Sequence, residues 1–361
     1  MGQPLRVGVV GCGNILAQYL DTFSRLDGVR LVAAADLDPA RAQAVAAAQA
    51  GVRALTVDEL LAADDVDVVL NLTVPAAHAE VALRAVAAGK HVYGEKPLAA
   101  TTEQAAQVLE AARAADVLVA CAPDTVLGTG VQTARKAIDD GMIGAPISAT
   151  ATMLTPGHER WHPNPDFYYV PGGGPLYDMG PYYVTTLVTL LGPVDSVVGA
   201  GSRTRDVRII GSGPRAGEQV PVSTDTHVTA VLVHASGALS TLVMSFDAVA
   251  TRSSNIEVHG ELGSLVVPDP NYFAGDVEVC TLDQRDDGWR ALPVSAGYVD
   301  AGRGIGLADL AGTPAGRRHR ADGDLAFHVL DVMESVIAST ASGAAVTVRS
   351  TVERPEAVPL T

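Results

Sequence analysis

A chain of 361 residues has room for about two domains, and its 48% hydrophobic content is enough for a sizeable buried core. Against 25 Lys and Arg stand 41 Asp and Glu, a net charge of −16, which disfavours nucleic acid and anionic membrane as partners. No apolar run approaches the ~18 residues of a membrane span, and MGQPLRVGVV lacks the charged and apolar regions of a secretory leader and the Ser or Thr of a myristoylation signal.

Residues 5 to 12, LRVGVVGC, form an apolar β-branched run of buried-strand length. Gly11-Cys12-Gly13 follows, then Asn14 and a helical pattern through Ile15, Tyr19, Leu20 and Phe23. This is most of a G-x-G-x-x-G dinucleotide turn, in which Gly11 permits the tight bend and Gly13 lets a pyrophosphate approach the backbone at a helix N-terminus. Leu16 occupies the third glycine position, so close helix–sheet contact must be made differently there. A second strand, Leu31 to Ala35, ends at Asp36, where a carboxylate accepts from ribose hydroxyls and repels a 2′-phosphate. Leu37 and Asp38 follow it with no basic residue, which favours NAD over NADP. Asp36 could instead cap the next helix before Pro39, although Asp38 is free to do so.

An alanine-rich helix from Pro39 to Ala50 and a short one from Asp58 to Ala63 precede a strand from Val66 to Leu72. That strand ends in Thr73-Val74-Pro75, and the helix after it carries His78. The stretch His91 to Pro97, HVYGEKP, reads as a short buried strand stopped by a proline. It leaves Glu95 and Lys96 at the carboxyl end, where open α/β sheets place ligand-contacting groups. Lys96 is one of only three lysines, and an amine differs from a guanidinium in being compact and able to shift its pKa. A helix from Thr102 to Ala115 and a strand from Val117 to Ala122 complete an alternation that predicts a parallel, doubly wound sheet. Pro123-Asp124 breaks it, so residues 1–124 are expected to form one domain and 125–361 another.

The second half has a different pattern. After a helix over Val131 to Asp140, strand-like runs recur at Ser148–Leu154, Val194–Ser202, His227–His234, Leu239–Phe246, Ser254–His259, Gly263–Val267 and Val277–Leu282. They predict an α+β domain with a large open, mostly antiparallel sheet, closed by a late helix over Leu325 to Ile337. The polar, aromatic loop His158-Glu159-Arg160-Trp161-His162 precedes a glycine-rich entry and a helix bearing Asp178 and Tyr182 one turn apart on the same face. Trp161, His158 and His162 are plausible sugar contacts, since a sugar ring stacks on an aromatic face. The histidines' spacing in a proline-bounded loop with no third ligand argues against metal. Arg317, Arg318, His319 and Arg320 read as a solvated loop or a partner for nearby acids, and Glu353 to Thr361 as a loose tail. Cys12, Cys121 and Cys280, odd in number and far apart, point away from disulfides and toward a reducing cytoplasm.

GVVGCGNI, NLTVPAAH, AGKHVYGEKP and GGGPLYDMGPYYVTTLVTLLG, in this order, resemble the Gfo/Idh/MocA family of oxidoreductases. The resemblance covers nearly the whole chain. It implies an N-terminal Rossmann domain, an α/β fold overall, and hydride transfer between NAD and a secondary hydroxyl of a sugar, sugar derivative or cyclitol. The expected cofactor contacts are Gly11, Gly13, Asn14, Ile15, Asp36, Thr73, Pro75, His78, Glu95 and Lys96. By the resemblance, Lys96 matches the catalytic lysine and its bond to Pro97 is a candidate cis peptide. The family pattern D-x-G-x-H reads D-M-G-P-Y here, so Tyr182 stands where a histidine acid/base is usual. A phenol of pKa ~10 can accept a proton near neutrality only if positive charge lowers it, and His158 and His162 are rival bases. Asp178 is expected to orient substrate and hold Lys96 charged. The departure at Ala122-Pro123-Asp124, where many relatives carry an arginine, leaves the substrate open. The family's open sheet implies a homo-oligomer, a dimer or tetramer. Two rival functions are an NAD-retaining glycosidase working by transient oxidation and elimination, and a non-catalytic NAD-dependent sensor, which the presence of Lys96 disfavours.

Overall fold

The computed structural model describes residues 3–313 and 318–361. Arg317 of the basic cluster lies outside them. The described chain forms two compact units, one of residues 1–127 and 300–330, the other of residues 128–299 and 331–361.

The first unit is a six-stranded parallel sheet. Its N-terminal part runs β1 (Leu5–Val10), α1 (Leu16–Phe23), β2 (Val29–Ala35), α2 (Pro39–Ala48), β3 (Arg53–Ala54), α3 (Val57–Ala62), β4 (Val68–Asn71), α4 (His78–Ala87), β5 (His91–Gly94), α5 (Thr102–Ala115) and β6 (Val119–Cys121). Caps set the helix starts: Thr56 and Glu59 form a reciprocal capping box for α3, and Thr101 accepts from the N–H of Gln104 at α5. The strand order β3-β2-β1-β4-β5-β6 reverses direction between β1 and β4, and such a switch point is where doubly wound sheets hold ligands. Val7, Val9, Val68, Leu70 and Tyr93 are buried with Leu16 and Tyr19 of α1.

The second unit is built on a nine-stranded mixed sheet. It contains α6 (Thr129–Asp139), β7 (Pro146–Leu154), α7 (Gly174–Leu191), β8 (Val194–Ser202), the small hairpin β9 (Val207–Ile209) and β10 (Gln219–Pro221), β11 (His227–His234), β12 (Leu239–Ser245), β13 (Ile256–Gly260), β14 (Gly263–Val267), β15 (Glu278–Thr281) and β16 (Arg290–Ala291). The chain then supplies α8 (Ile305–Gly312) to the first unit, and the division between units falls within α9 (Gly323–Ser342), before β17 (Val346–Thr347). The large sheet has the order β16-β15-β14-β13-β7-β12-β11-β8-β17, with β7 and β12 its one parallel pair. Strict alternation explains why only one face is covered. On β11, Val228, Ala230, Leu232 and His234 are buried, and α7 packs against β7, β11 and β12. The other face carries Thr150, Thr241, Val231 and Val198 in one cross-strand row.

Three expectations are corrected or resolved here. The last residues do not trail: Val358 is buried, its N–H donates to Gln132 Oε1 at 2.9 Å, and Thr361 exchanges backbone bonds with the 297–299 segment. The basic cluster serves nearby acids, Arg318 pairing with Asp322 at 2.9 Å and Arg320 with Asp309. The segment after residue 300 adds to the first sheet, where Cys121 donates to Ala321 O at 2.9 Å.

Candidate active site

The glycine turn of the first unit is held by sterics on one side and left open on the other. Gly11 has φ of 98°, and a Cβ there would lie 2.7 Å from the Leu72 backbone, so only glycine fits. Its N–H donates to Ala35 O at 2.9 Å, fastening the turn to β2. A Cβ on Gly13 would meet nothing within 4 Å. At the N-cap of α1, Ile15 supplies no side-chain acceptor, which leaves the helix N-terminus suited to an anion. Asp36 accepts from the Cys12 N–H at 2.7 Å and the Asp38 N–H at 2.9 Å, one bond on each oxygen. Further lone pairs stay available for ribose hydroxyls. The cap of α2 is Asp38, which accepts from Ala40 at 3.0 Å. These residues fit an NAD dinucleotide. Burial, and then the Asp36 charge, push the Cys12 thiol up to about 11, so it is no nucleophile.

The β4 and β5 ends are tied together by side chains. Asn71 accepts from Thr73 Oγ1 at 2.6 Å and donates to His78 O at 3.0 Å. His78 is buried, with Nδ1 2.6 Å from Pro97 O and Nε2 3.1 Å from Thr73 O. Its ring nitrogens are directed at backbone carbonyls, so any contribution to the cofactor runs through the two turns it joins. Pro75 opens a short 3₁₀ turn between them.

Glu95 is fixed at both oxygens: Tyr19 Oη of α1 donates to Oε1 at 2.8 Å, and the Lys96 N–H donates to Oε2 at 3.1 Å. The Lys96–Pro97 bond is cis, as the resemblance implied, and so is Ala122–Pro123. Beneath, Tyr93 Oη donates to Asp124 Oδ2 at 2.9 Å, and the same oxygen accepts from Gly304 and Gly306 at the N-terminus of α8. Full burial raises the Asp124 carboxyl above its ordinary range, despite those donors and nearby Arg303. Where relatives were expected to carry an arginine, this chain therefore uses an acid to anchor its returning segment.

The second unit carries its own cluster. Asp178, in the second turn of α7, lies 2.9 Å from His158 Nε2. The imidazole sits among Phe246, Tyr168 and Trp161, with ring centroids at 4.4, 4.8 and 5.1 Å. Its Nδ1 is buried and has no hydrogen-bond partner. Trp161 is 58% exposed, and His162 packs edge-on against it and against Phe167. Tyr182 is 4% exposed, while Tyr183 is fully buried and accepts from Asn255 at 2.8 Å. Among the described residues no group of three or more His, Cys, Asp or Glu is placed to hold a metal ion.

Sequence reasoning missed what holds this loop. Arg208 of β9, fully buried, bonds Glu159 Oε1 at 3.1 Å, Asp247 Oδ1 at 2.5 Å and Phe246 O at 3.0 Å. Tyr169 donates to the other Glu159 oxygen, and a Cβ on Gly157 would collide with the Glu159 and Arg208 side chains. Only the acidic Glu159 between two histidines hinted at a buried partner.

Residues 5–122 match the family described as "Oxidoreductase family, NAD-binding Rossmann fold", and residues 131–266 match "GFO/IDH/MocA C-terminal domain". An inositol 2-dehydrogenase of Rhizobium meliloti (strain 1021) is 30% identical over 279 residues, 77% of this chain and 79% of that protein. An inositol 2-dehydrogenase of Ralstonia nicotianae is 36% identical over 148 residues, a match spanning 40% of this chain and 44% of that enzyme. The crystal structure of an NAD binding oxidoreductase from Klebsiella pneumoniae superposes with a TM-score of 0.82 at 26% identity, covering 96% of this chain and 99% of that one.

Proposed function

Since the chain belongs to the GFO/IDH/MocA family of NAD-binding oxidoreductases, we propose that it oxidises a secondary hydroxyl of a sugar, sugar derivative or cyclitol. The observation that carries this is the Tyr19–Glu95–Lys96 linkage. The helix that follows the dinucleotide turn holds the Glu95 carboxylate against the Lys96 backbone, which ties the turn to the strand end that bears the lysine.

Gly11, Gly13, Asn14, Ile15 and Asp36 would hold NAD, with Thr73 and Pro75 lining the adjacent turn; when bound, NAD supplies the hydride acceptor. Lys96 donates a hydrogen bond to the reacting hydroxyl and stabilises negative charge developing on its oxygen. Asp178 orients the polar side of the substrate, Tyr182 contributes its phenol to the same wall, and Trp161 and His162 give a ring-sized apolar surface for stacking. Two inositol dehydrogenases among the relatives support a polyhydroxylated ring as substrate.

The exposed row Thr150, Thr241, Val231 and Val198 supports a homo-oligomer formed through the open sheet face. Three free cysteines support a reducing cytoplasm. No helix of the described residues is long and apolar enough to cross a membrane. The test is NADH absorbance with a panel of inositols, monosaccharides and aryl glycosides, with NADP in parallel. NADH formation on a ring alcohol is expected; aglycone release without NADH would overturn the dehydrogenase reading.

A further inference from the structure

We infer that Arg41 is a latent ligand for a 2′-phosphate, kept from that use by Asp36 and Asp38, so that three residues rather than Asp36 alone set the cofactor preference. This rests on the NAD reading of the first unit and assigns its specificity. The three residues lie on one short stretch, from the end of β2 into the first turn of α2. Asp36 is pinned by the Cys12 N–H at 2.7 Å on one oxygen and by the Asp38 N–H at 2.9 Å on the other. Asp38 caps α2 through Oδ1, accepting from Ala40 at 3.0 Å, and places Oδ2 at 3.7 Å from Arg41 Nε. The Cys12 thiol, pushed up by burial and by Asp36, is pulled down by Arg41. The guanidinium is therefore felt at the residue whose N–H holds the carboxylate assigned to the ribose.

The charges explain why the site takes NAD and how little would alter it. Asp36 and Asp38 outnumber Arg41, so a 2′-phosphate, itself strongly anionic, meets a net negative site and is repelled. Without Asp36 the remaining pair is neutral, and its members hold each other loosely. The Arg41 and Asp38 side chains are 59% and 58% exposed, and solvent screens an ion pair so placed. A guanidinium offers a planar fork that matches two phosphate oxygens at once, which a carboxylate at 3.7 Å from Nε does not engage. A phosphate would therefore draw Arg41 away from Asp38, and the positive end of the α2 dipole acts in the same direction. Arg41 stands five residues beyond Asp36, too far along the chain to count as its neighbour. The first turn of α2 brings it back.

The test is isothermal titration of the full-length protein with 5′-AMP and adenosine 2′,5′-bisphosphate, which differ only in the 2′-phosphate and need no turnover. It compares wild type, Asp36→Ser and Asp36→Ser/Asp38→Asn, each with and without Arg41→Ala. Asparagine at 38 keeps the cap of α2 while removing its charge. Wild type is expected to prefer 5′-AMP, and Asp36→Ser to bind the bisphosphate more tightly than wild type does. Adding Arg41→Ala to Asp36→Ser should weaken the bisphosphate by about tenfold, the loss of a charge-assisted bond, and leave 5′-AMP within about twofold. Asp38→Asn should raise bisphosphate affinity further, a gain that vanishes with Arg41→Ala. A bisphosphate affinity indifferent to Arg41→Ala in the Asp36→Ser background overturns the assignment, as does the absence of any gain from Asp38→Asn. Equal losses for both ligands would also overturn it, since they would mark Arg41 as structural. Failure of the NAD reading is separate: the wild type would then bind neither NAD nor 5′-AMP, with Arg41 in place.

Discussion

Replacing Arg208 with methionine should destabilise the second unit and, with it, the loop that bears His158. The guanidinium is fully buried and makes charge-assisted bonds to Glu159 and Asp247 and one more to Phe246 O. Methionine preserves much of the volume but leaves both carboxylates facing a thioether. Tyr169 still donates to Glu159 and Thr226 to Asp247, so neither acid loses every partner. Removing one member of a buried ion pair typically costs about 3–5 kcal/mol, and the surviving donors place the expected loss near the lower end, about 3 kcal/mol. Urea denaturation followed by tryptophan fluorescence reads this directly, because Trp161 and Trp289 both lie in the second unit. Arg208→Lys, which restores charge without the planar fork, should recover part of the loss. A loss below about 1 kcal/mol for Arg208→Met would refute the reasoning, since the cluster would then behave like a surface ion pair.

Three further outcomes follow from the first unit. Asp36→Ala should reduce the preference for NAD over NADP by at least about tenfold in kcat/KM, about 1.4 kcal/mol, measured with both cofactors under the same conditions. Lys96→Met should lower kcat by orders of magnitude while NAD affinity by fluorescence titration changes little, because the donor matters most as charge develops on the substrate oxygen. For Asp124 the sign follows from its burial. A carboxyl whose folded pKa is raised stabilises the fold most when protonated, and that contribution is lost as pH rises above the unfolded value of ~3.9 through the raised folded one. Wild type should therefore lose stability relative to Asp124→Asn as pH rises across that window, a slope read from urea midpoints at several pH values; a pH-independent difference would contradict the burial effect.

The parts of this fold that were legible in the sequence are those held by local or periodic signals. Strands β8, β11 and β14 begin and end where their alternation does, and α5 runs from the Thr101 cap to Ala115. The hairpin of β9 and β10 was missed because each strand is three residues long, too short for a period to register. The parallel pairing of β7 with β12 and the return of residues 300–330 to the first sheet are tertiary choices with no local mark. At the candidate site, Gly11, Asp36 and the Glu95-Lys96 pair stand at positions where chain order alone marks a strand end. His158 and Asp178 are twenty residues apart in sequence, and only the packing of their loop against α7 joins them. Arg208 was invisible for the same reason: a single arginine in a three-residue strand reads as surface.

The His158–Asp178 pair joins a loop to a helix, and side chains on these two kinds of element are positioned differently. A base borne on the helix one turn after Asp178 is positioned by the helix backbone itself, since i and i+4 side chains share a face. A base on a loop has no such scaffold and must be held by tertiary contacts. Around His158 those contacts are the aromatic walls and the Arg208–Glu159–Asp247 cluster. Buried ion pairs contribute little net stability compared with apolar packing of similar volume, so their presence here is better explained by the geometry they impose. Stability of the second unit and the geometry of the loop bearing His158, Trp161 and His162 should consequently fall together. In Arg208→Met, kcat is expected to drop alongside the urea midpoint while NAD affinity, set by the first unit, stays near the wild-type value; a variant that unfolds more easily yet keeps full kcat would separate the cluster from the chemistry.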